Sequence, residues 1–443
     1  MTSDSCLLVI GGTLEHLRKA HSTGADIVYC QFEQDFHPEA ADLVNDVILT
    51  DYTDWEKLRP LVQAAHRKWG FTAAASLTEP GLDPVARVND LLGLGGTSYE
   101  VSHRFTDKWQ MRRRIAETEP ENVPIVGASL VTDRHSIAKF GAAFGYPFIV
   151  KPSGGTASFG VMMVTGEDSV DQVWAQIRAL RADSAHPLLH AYDLSEFIME
   201  EYIAGPLCSA EVYSFGGRHV VMAITEAISQ ESGHVHVGHA LPARITPALE
   251  ATVVEATTDF LDAMGLRDGP SHTELKLSPR GPVVIESQNR IGGALINSMI
   301  KAVYGIDPQQ LAFSRPLGLA DELTNRPAPA GGAASWLVVA EPGRVQEVCG
   351  LEEVRTDPAT IGVTFGVAPG DMVRPLAGSW DGLGHIATYG PDTGTAIAAC
   401  RANLARIEVR TEPAWTSGGP GGDQVVQDAA QNVVQDRQEG VDP

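Results

Sequence analysis

"TELKLSPRGPVVIESQNR", Thr273 to Arg290, consists of two alternating runs on either side of Pro279-Arg280-Gly281. Period-two alternation broken by Pro and Gly predicts a β-hairpin centred near Arg280. That centre pairs Leu275 with Ile285 and Leu277 with Val283 on one face, and sets Glu274 opposite Glu286 on the other. Cβ atoms facing each other across a ladder lie roughly 5 Å apart, so two carboxylates there repel unless something positive stands between them. A divalent cation is an economical answer, and oxygen ligands without His or Cys favour Mg²⁺, or Mn²⁺, over zinc. A register off by one, or neutralisation by Lys276, answers the same repulsion. Gln288 continues the acidic face with an amide oxygen suited to a further ligand or a polar contact. Arg290 follows on that side, its fork matched to a phosphate, a carboxylate or either glutamate. Gly292 and Gly293 then let the backbone turn sharply or approach a ligand closely.

Upstream, "IVKPSGGTASFGV", Ile149 to Val161, is a short apolar strand that closes on Lys151 and enters a loop of small residues. No GK[ST] follows a first glycine at the required spacing, so this is not a P-loop. A flap whose amides close over phosphates fits the composition, and so does an ordinary glycine-rich hairpin turn.

Around these two stretches the chain of 443 residues has room for two to four domains. Residues 1–105 alternate strand and helix, as in "CLLVIGG", "TLEHLRKAHSTG" and "DIVYCQF", which predicts a parallel, Rossmann-like sheet. Its Gly11-Gly12 turn lacks GxGxxG spacing and reads as packing glycine. A second unit, 106–193, holds the basic helix "DKWQMRRRIAET", the strand ending at Lys151, the loop and a further helix. The third, 194–415, is rich in strands and ends in an α+β extension; 416–443 is polar, Gly-rich and expected to be disordered.

A net charge of −23 argues against non-specific binding to nucleic acid or anionic lipid, so any phosphate must be held by local cations, amides or metal. No apolar stretch approaches a membrane span and Met1 to Gly12 carries no signal-like pattern, so a cytoplasmic location is expected. Cys6, Cys30, Cys208, Cys349 and Cys400 are scattered and never form a CxxC pair, which predicts thiols without zinc or disulfides.

The order of elements is specific where each alone is not. A basic helix with Lys108, then Lys151 and the loop, then "MEEYIAGP", then Glu274 and Glu286 with Arg290, resembles the ATP-grasp superfamily. The flanks "LGLGGTSYEVSHRFTDKWQMRRRI" and "RPLAGSWDGLGHIATYGPDTGTAIAACRANLARI" are similar to those of its carboxylate–amine ligases, the L-amino-acid or dipeptide ligases. The resemblance implies an ATP-grasp fold, α/β and α+β, behind the Rossmann-like domain. It implies that Lys108 and Lys151 contact ATP phosphates and that Ser153, Gly154, Gly155, Thr156, Ser158 and Gly160 close over them. Glu200, Glu201 and Ile203 would line the adenine site, Glu211 would contact the ribose or the metal side unless it is a surface residue, and Glu274 and Glu286 would hold Mg²⁺. Gln288 stands where the family often has a metal-ligating asparagine.

The activity implied is ATP-dependent activation of a carboxylate as an acyl phosphate, followed by attack of an amine to give an amide, ADP and phosphate. In the loop "ESGHVHVGHALPAR" the expected substrate contacts are His239, near the acyl phosphate or amine, and Arg244, on a substrate carboxylate. His234, His236 and His239 also have a spacing reminiscent of zinc, but no fourth ligand is evident. The expected partners are small carboxylates and amines, amino acids above all, with a homodimer as an oligomeric option and no nucleic acid or membrane. A carboxylation or purine-type ligation, and a degenerate nucleotide-binding partner protein, are the alternatives.

Overall fold

This computed structural model describes residues 5–182, 191–229, 236–376, 378 and 381–412. The N-terminal unit is a parallel sheet of β1 (Cys6–Ile10), β2 (Asp26–Gln31), β3 (Asp46–Leu49) and β4 (Ala73–Ala75) in the order β3-β2-β1-β4. Every residue of β1 is buried, because Leu7 and Val9 pack into one apolar cluster and Leu8 and Ile10 into another on the opposite face. A sheet covered on both faces needs such continuous apolar strands. Helices α1 (Leu14–His21), α2 (Trp55–Trp69) and α3 (Leu82–Leu92) cover it. Asp54 caps the start of α2 and Gly70, at φ 65°, ends it.

After α4 (Tyr99–Thr106) the chain breaks at Asp107, whose carboxylate accepts from Trp109 N and Gln110 N and so starts α5 (Lys108–Thr118). A four-stranded antiparallel sheet follows, β5 (Ala128–Leu130), β6 (Phe148–Pro152), β7 (Met162–Val164) and β8 (Phe197–Glu201), in the order β5-β8-β6-β7. It is backed by α6 (Arg134–Phe144) and α7 (Val170–Ala182), and α7 buries Val170, Val173 and Ile177 at helical spacing.

The largest layer joins β9 (Leu207–Phe215), β10 (Arg218–Ser229), β11 (His236–Leu241), β12 (Gly269–Ser278), β13 (Gly281–Gln288), β14 (Gly332–Val338), β16 (Thr360–Phe365) and β18 (Gly384–Gly390). Their order is β13-β12-β9-β10-β11-β14-β18-β16, so the C-terminal strands extend the sheet that carries the acidic hairpin. Helices α8 (Pro247–Met264), α9 (Ile296–Tyr304) and α10 (Pro308–Ser314) pack on it, and one apolar cluster runs from Leu7 and Val9 through Tyr213 to Ile300 and Ala387. That cluster welds the N-terminal sheet to the large one. A small sheet of β15 (Gly343–Cys349), β17 (Met372–Val373) and β19 (Glu408–Glu412), with α11 (Leu351–Arg355) and α12 (Thr393–Leu404), completes the described chain. Among the described residues no helix is long and apolar enough to cross a membrane. The C-terminal segment 416–443 and His234 lie outside the described residues.

Candidate active site

In the hairpin of β12 and β13, Glu274 faces Glu286 directly, flanked by the pairs His272–Gln288 and Thr273–Ser287. Beyond the acids the register shifts by one: Leu275 pairs with Val284 and Leu277 with Pro282, not with Ile285 and Val283 as the alternation predicts. Ile285 is the extra residue of a β-bulge, which bends the strand and re-aims Glu286. Its cause is on another element. Arg112, on α5, donates to the carbonyls of Val284 at 2.9 Å and Ile285 at 2.6 Å and takes over bonds the interrupted ladder leaves open.

Arg112 also donates to Glu200 at 2.6 Å, and the other oxygen of Glu200 lies 2.7 Å from Lys151 Nζ, all three side chains being buried. Burial alone would raise the Glu200 carboxyl, but the two cations bring it down to about 2, so the group is a fixed anion between them. Lys108 begins α5 and sends its Nζ to Gly155 O at 2.6 Å, 3.5 Å from Glu286. Burial works against its charge, yet Glu286, Glu79 and Glu200 together raise its pKa. Glu286 is in turn lowered to about 2: burial opposes ionisation, and Lys108 and Lys151 outweigh it. The cations within 4 Å of the opposed acids are therefore Lys108 and, 3.5 Å from Glu274, His272; Lys276 feels the charge of Glu274 without a direct contact.

Between β6 and β7 the loop takes positive φ at Gly155, Ala157, Ser158 and Gly160, and it turns back on itself through Phe159 N to Thr156 O at 3.0 Å and Val161 N to Ser158 O at 3.2 Å. Gly160 has a second constraint, since a Cβ there would come within 3.0 Å of Pro152. The loop's base is fixed: Ser153 is buried and its hydroxyl donates to Asp107 at 2.6 Å, while Lys108 N donates to Ser153 O at 2.9 Å. Ser153 thus anchors the loop to the start of α5, and Lys108 holds it a second time at Gly155 O; Gly154, Gly155, Thr156, Ser158 and Gly160 form the span beyond that anchor. Glu201 sits apart from Glu200, pairing with Arg280 at 3.0 Å, and Ile203 forms a small apolar patch with Val126, Val283 and Ile285 that could serve as one wall of a slot for a flat ring.

Glu211 is not a surface residue. It is 2% exposed on β9, opposite His272, and bonds its Nδ1 at 2.7 Å and the Ser209 hydroxyl at 2.8 Å. Burial would depress His272, but Glu211 and Glu274 raise it to about 10, which makes it a second fixed cation beside the acids. A Cβ on Gly292 would lie 2.8 Å from Glu211 and 3.1 Å from His272, so the chain after Arg290 runs directly over this pair. After Gly293, Ala294 and Leu295 hold left-handed φ values of 51° and 63° without being glycine.

Farther across the same face, Ala227 of β10 pairs with His239 of β11, which pairs with Ser335 of β14. His239 Nδ1 and Ser335 Oγ are both buried without a partner, and burial lowers His239 to about 3, so its ring is neutral at physiological pH. The structure does not bring Arg244 here. Its side chain is 57% exposed and grips Glu226 at 2.6 Å, and Glu226 points to the face of β10 opposite Thr225 and Ala227. Arg290 is brought in, but its partner is Glu79 of the N-terminal unit at 3.0 Å.

Whether a hard cation fits can be tested on Gln288, whose amide donates to Glu286 at 3.0 Å while its buried Oε1 has no partner. Two carboxylates and a free amide oxygen on one strand face suit Mg²⁺, which needs few protein ligands when phosphate oxygens supply the rest. Among the described residues no group of three or more His, Cys, Asp or Glu side chains could hold a metal by itself.

Of the residues absent from the sequence reading, Arg112 lies four positions after Lys108 and so on its face of α5, and His272 lies two before Glu274 on the same strand face. Those periodicities were available signals; nothing local marks Glu79.

The half-buried, neutral histidines set an expectation for acid. His239 at about 3, and His16 and His385 at about 4, lie below the ordinary value of about 6.5 because burial disfavours their charge. The unfolded chain binds protons that the folded chain refuses, so resistance to urea should fall as pH drops from about 6.5 toward 4. His385→Asn should flatten that slope, and an unchanged slope would contradict the assignment.

Comparison with known proteins places this geometry. Residues 144–298 match an ATP-grasp domain, 17–96 an ATP-grasp N-terminal domain and 335–412 the L-amino acid ligase C-terminal domain 2. An L-amino acid ligase structure from Bacillus licheniformis superposes with a TM-score of 0.79 over 93% of this chain and 100% of that one, at 20% identity. The chain belongs to the ATP-grasp superfamily. Alanine–anticapsin ligase of Bacillus subtilis is 25% identical over 290 residues, 61% of this chain and 60% of that protein. Carnosine synthase 1 of Gallus gallus is 30% identical over 202 residues, 45% of this chain. The chain spans 22% of the latter's length and 60% of the former's. The matched ATP-grasp domain contains Lys151, the glycine-rich loop, the acidic hairpin and Arg290; Glu79 falls in the matched N-terminal domain.

Proposed function

We propose that this ATP-grasp chain is an ATP- and Mg²⁺-dependent ligase that activates the carboxylate of an amino acid as an acyl phosphate and couples it to an amine, giving an amide or dipeptide, ADP and phosphate. The observation that carries the reading is the facing pair Glu274–Glu286, set beside Lys108 and the unpartnered oxygen of Gln288. Relatives named as amino-acid ligases support the substrate class.

In this reading Lys108 and Lys151 bind the nucleotide phosphates, and the amides of Gly154 to Gly160 close over them and exclude water. Glu274, Glu286 and Gln288 would hold Mg²⁺, which when bound screens the charge that gathers on the transferring phosphoryl group. The carboxylate attacks the γ-phosphorus as the bond to ADP breaks; the amine then attacks the acyl carbon and phosphate leaves. Arg290 stands where it can stabilise the oxyanion of that second step, and neutral His239 offers an unpartnered ring nitrogen for a hydrogen bond that orients the amine. Arg244 has no part in it, being seated on the far face with Glu226.

The test is ADP release with ATP and Mg²⁺ against amino acids supplied singly and in pairs, with products identified by mass spectrometry. Stimulation by at least one pair, with a mass equal to the sum less one water, is expected. If no pair, and no amine with any one acid, stimulates release, the reading fails.

A further inference from the structure

Behind the opposed acids, the large sheet buries a row of polar side chains that none of the steps above uses. On β9, Ser209 stands opposite Glu274 and Glu211 opposite His272, so strand alternation sets all four on one face. Their bonds join them in a chain. Thr225 Oγ1, on β10, lies 2.5 Å from Ser209 Oγ; Ser209 donates to Glu211 at 2.8 Å; and Glu211 holds His272 Nδ1 at 2.7 Å. His272 Nε2 then faces Glu274 Oε1 at 3.5 Å. Ser209, Glu211, Thr225 and His272 are buried, whereas the Glu274 side chain at the end of the chain is 26% exposed. The backbone at Gly292 closes the other side, having no Cβ to strike Glu211 or His272. Among the described residues, His272 is the one hydrogen-bond or ion-pair partner of Glu274.

Carboxylates only accept, so a ring between two of them carries hydrogen on both nitrogens. Alone, that cation would compete with a metal ion for Glu274. Glu211 is nearer to it and offsets its charge, which leaves His272 to orient Glu274 without neutralising it. A buried ion pair contributes little net stability once desolvation is counted, so stability is a weak reason for burying this one. Orientation is a stronger one, because hydrogen bonds to a metal ligand fix the direction in which it meets the ion. We infer that Glu211 and His272 are positioning residues: Glu211 fixes the His272 ring, and His272 holds the Glu274 carboxylate in place for Mg²⁺. This rests on the Mg²⁺ assignment in the ligase reading and deepens it. Glu211 thereby serves the metal side through His272 rather than as a ligand.

Titration calorimetry on the full chain with a non-hydrolysable ATP analogue, once with Mg²⁺ and once with EDTA, tests it by the factor with which the metal tightens analogue binding. In the wild-type protein a factor of roughly 100 is expected. Glu211→Gln and His272→Gln should each cut it roughly 10-fold, while the affinity measured in EDTA stays as it was and reports an intact fold and nucleotide site. Because both residues act through one contact, the double variant should lose no more than either single one, whereas two independent structural roles would add. If a single variant fails to bind the analogue, the double variant, whose two amides replace the buried charges with a neutral pair, decides: a factor reduced roughly 10-fold supports the inference and an undiminished one overturns it. A factor unchanged in either single variant, losses that add in the double variant, or the absence of any tightening by Mg²⁺ in the wild-type protein overturns it as well. ADP release with amino-acid pairs, measured alongside, keeps the two readings apart: a His272-dependent factor without turnover sinks the ligase and keeps the positioning, and turnover with a factor indifferent to His272 does the reverse.

Discussion

Glu286→Gln is expected to cut ADP release roughly 1000-fold while the protein keeps its fold, a loss equivalent to the several kcal/mol that a bound divalent ion contributes to phosphoryl transfer. The amide preserves the shape of the side chain and removes only its charge. In the wild-type protein that charge is secure, because Lys108 and Lys151 hold the carboxyl at about 2 despite its burial. With Glu274 directly opposite, the site offers a cation two negative ligands and the Gln288 oxygen; the variant offers one negative ligand and two amides. The Mg²⁺ concentration for half-maximal activity should rise along with the loss of rate. Lys108 keeps its bond to Gly155 O and the influence of Glu79 and Glu200, so its burial remains compensated. Circular dichroism unchanged from wild type would confirm the fold, and an Glu286→Gln protein with full ADP release would remove the metal assignment.

Arg112→Met should be the most destabilising single change near the site, by roughly 3–5 kcal/mol, because it breaks a buried charged network from its centre. Methionine fills comparable space without hydrogen bonds. Glu200 would be left with Lys151 alone, and the carbonyls of Val284 and Ile285 would lose their donor at the bulge. An exposed arginine gives the contrast: Arg134 pairs with Asp171 at the surface, where solvent screens the attraction, and Arg134→Met should leave the denaturation midpoint where it was. Urea unfolding followed by tryptophan emission suits the experiment, since Trp109 lies on the same helix. A loss below about 1 kcal/mol for Arg112→Met would mean that the bulge holds without the guanidinium.

The hairpin shows how far local pattern reaches. Period-two alternation around Pro279-Arg280-Gly281 suffices to oppose Glu274 and Glu286, because strands joined by a tight turn have few registers open to them and burial of Leu275 selects among those. The same pattern misplaces Leu275 and Leu277, since the bulge at Ile285 answers to Arg112, 173 positions away in the chain. Lys108 and Lys151 are legible through their order along the chain, yet that order is silent about Glu200 lying between Lys151 and Arg112. Arg244 reads as a substrate contact because the loop sequence does not say which face of β10 Glu226 occupies.

By itself, then, the sequence determined the strand–helix alternation of the N-terminal unit, the glycine-rich loop behind Lys151 and the facing acids, all consequences of backbone preference and side-chain period over about twenty residues. The tertiary structure alone decided which charges meet. Arg290 has Glu79 as its partner across 211 positions, and Glu211 is buried against His272 rather than exposed. Such pairings depend on how sheets are brought together by shared apolar clusters, and the energy of a buried charge depends on the completed surroundings rather than on its neighbours in the chain.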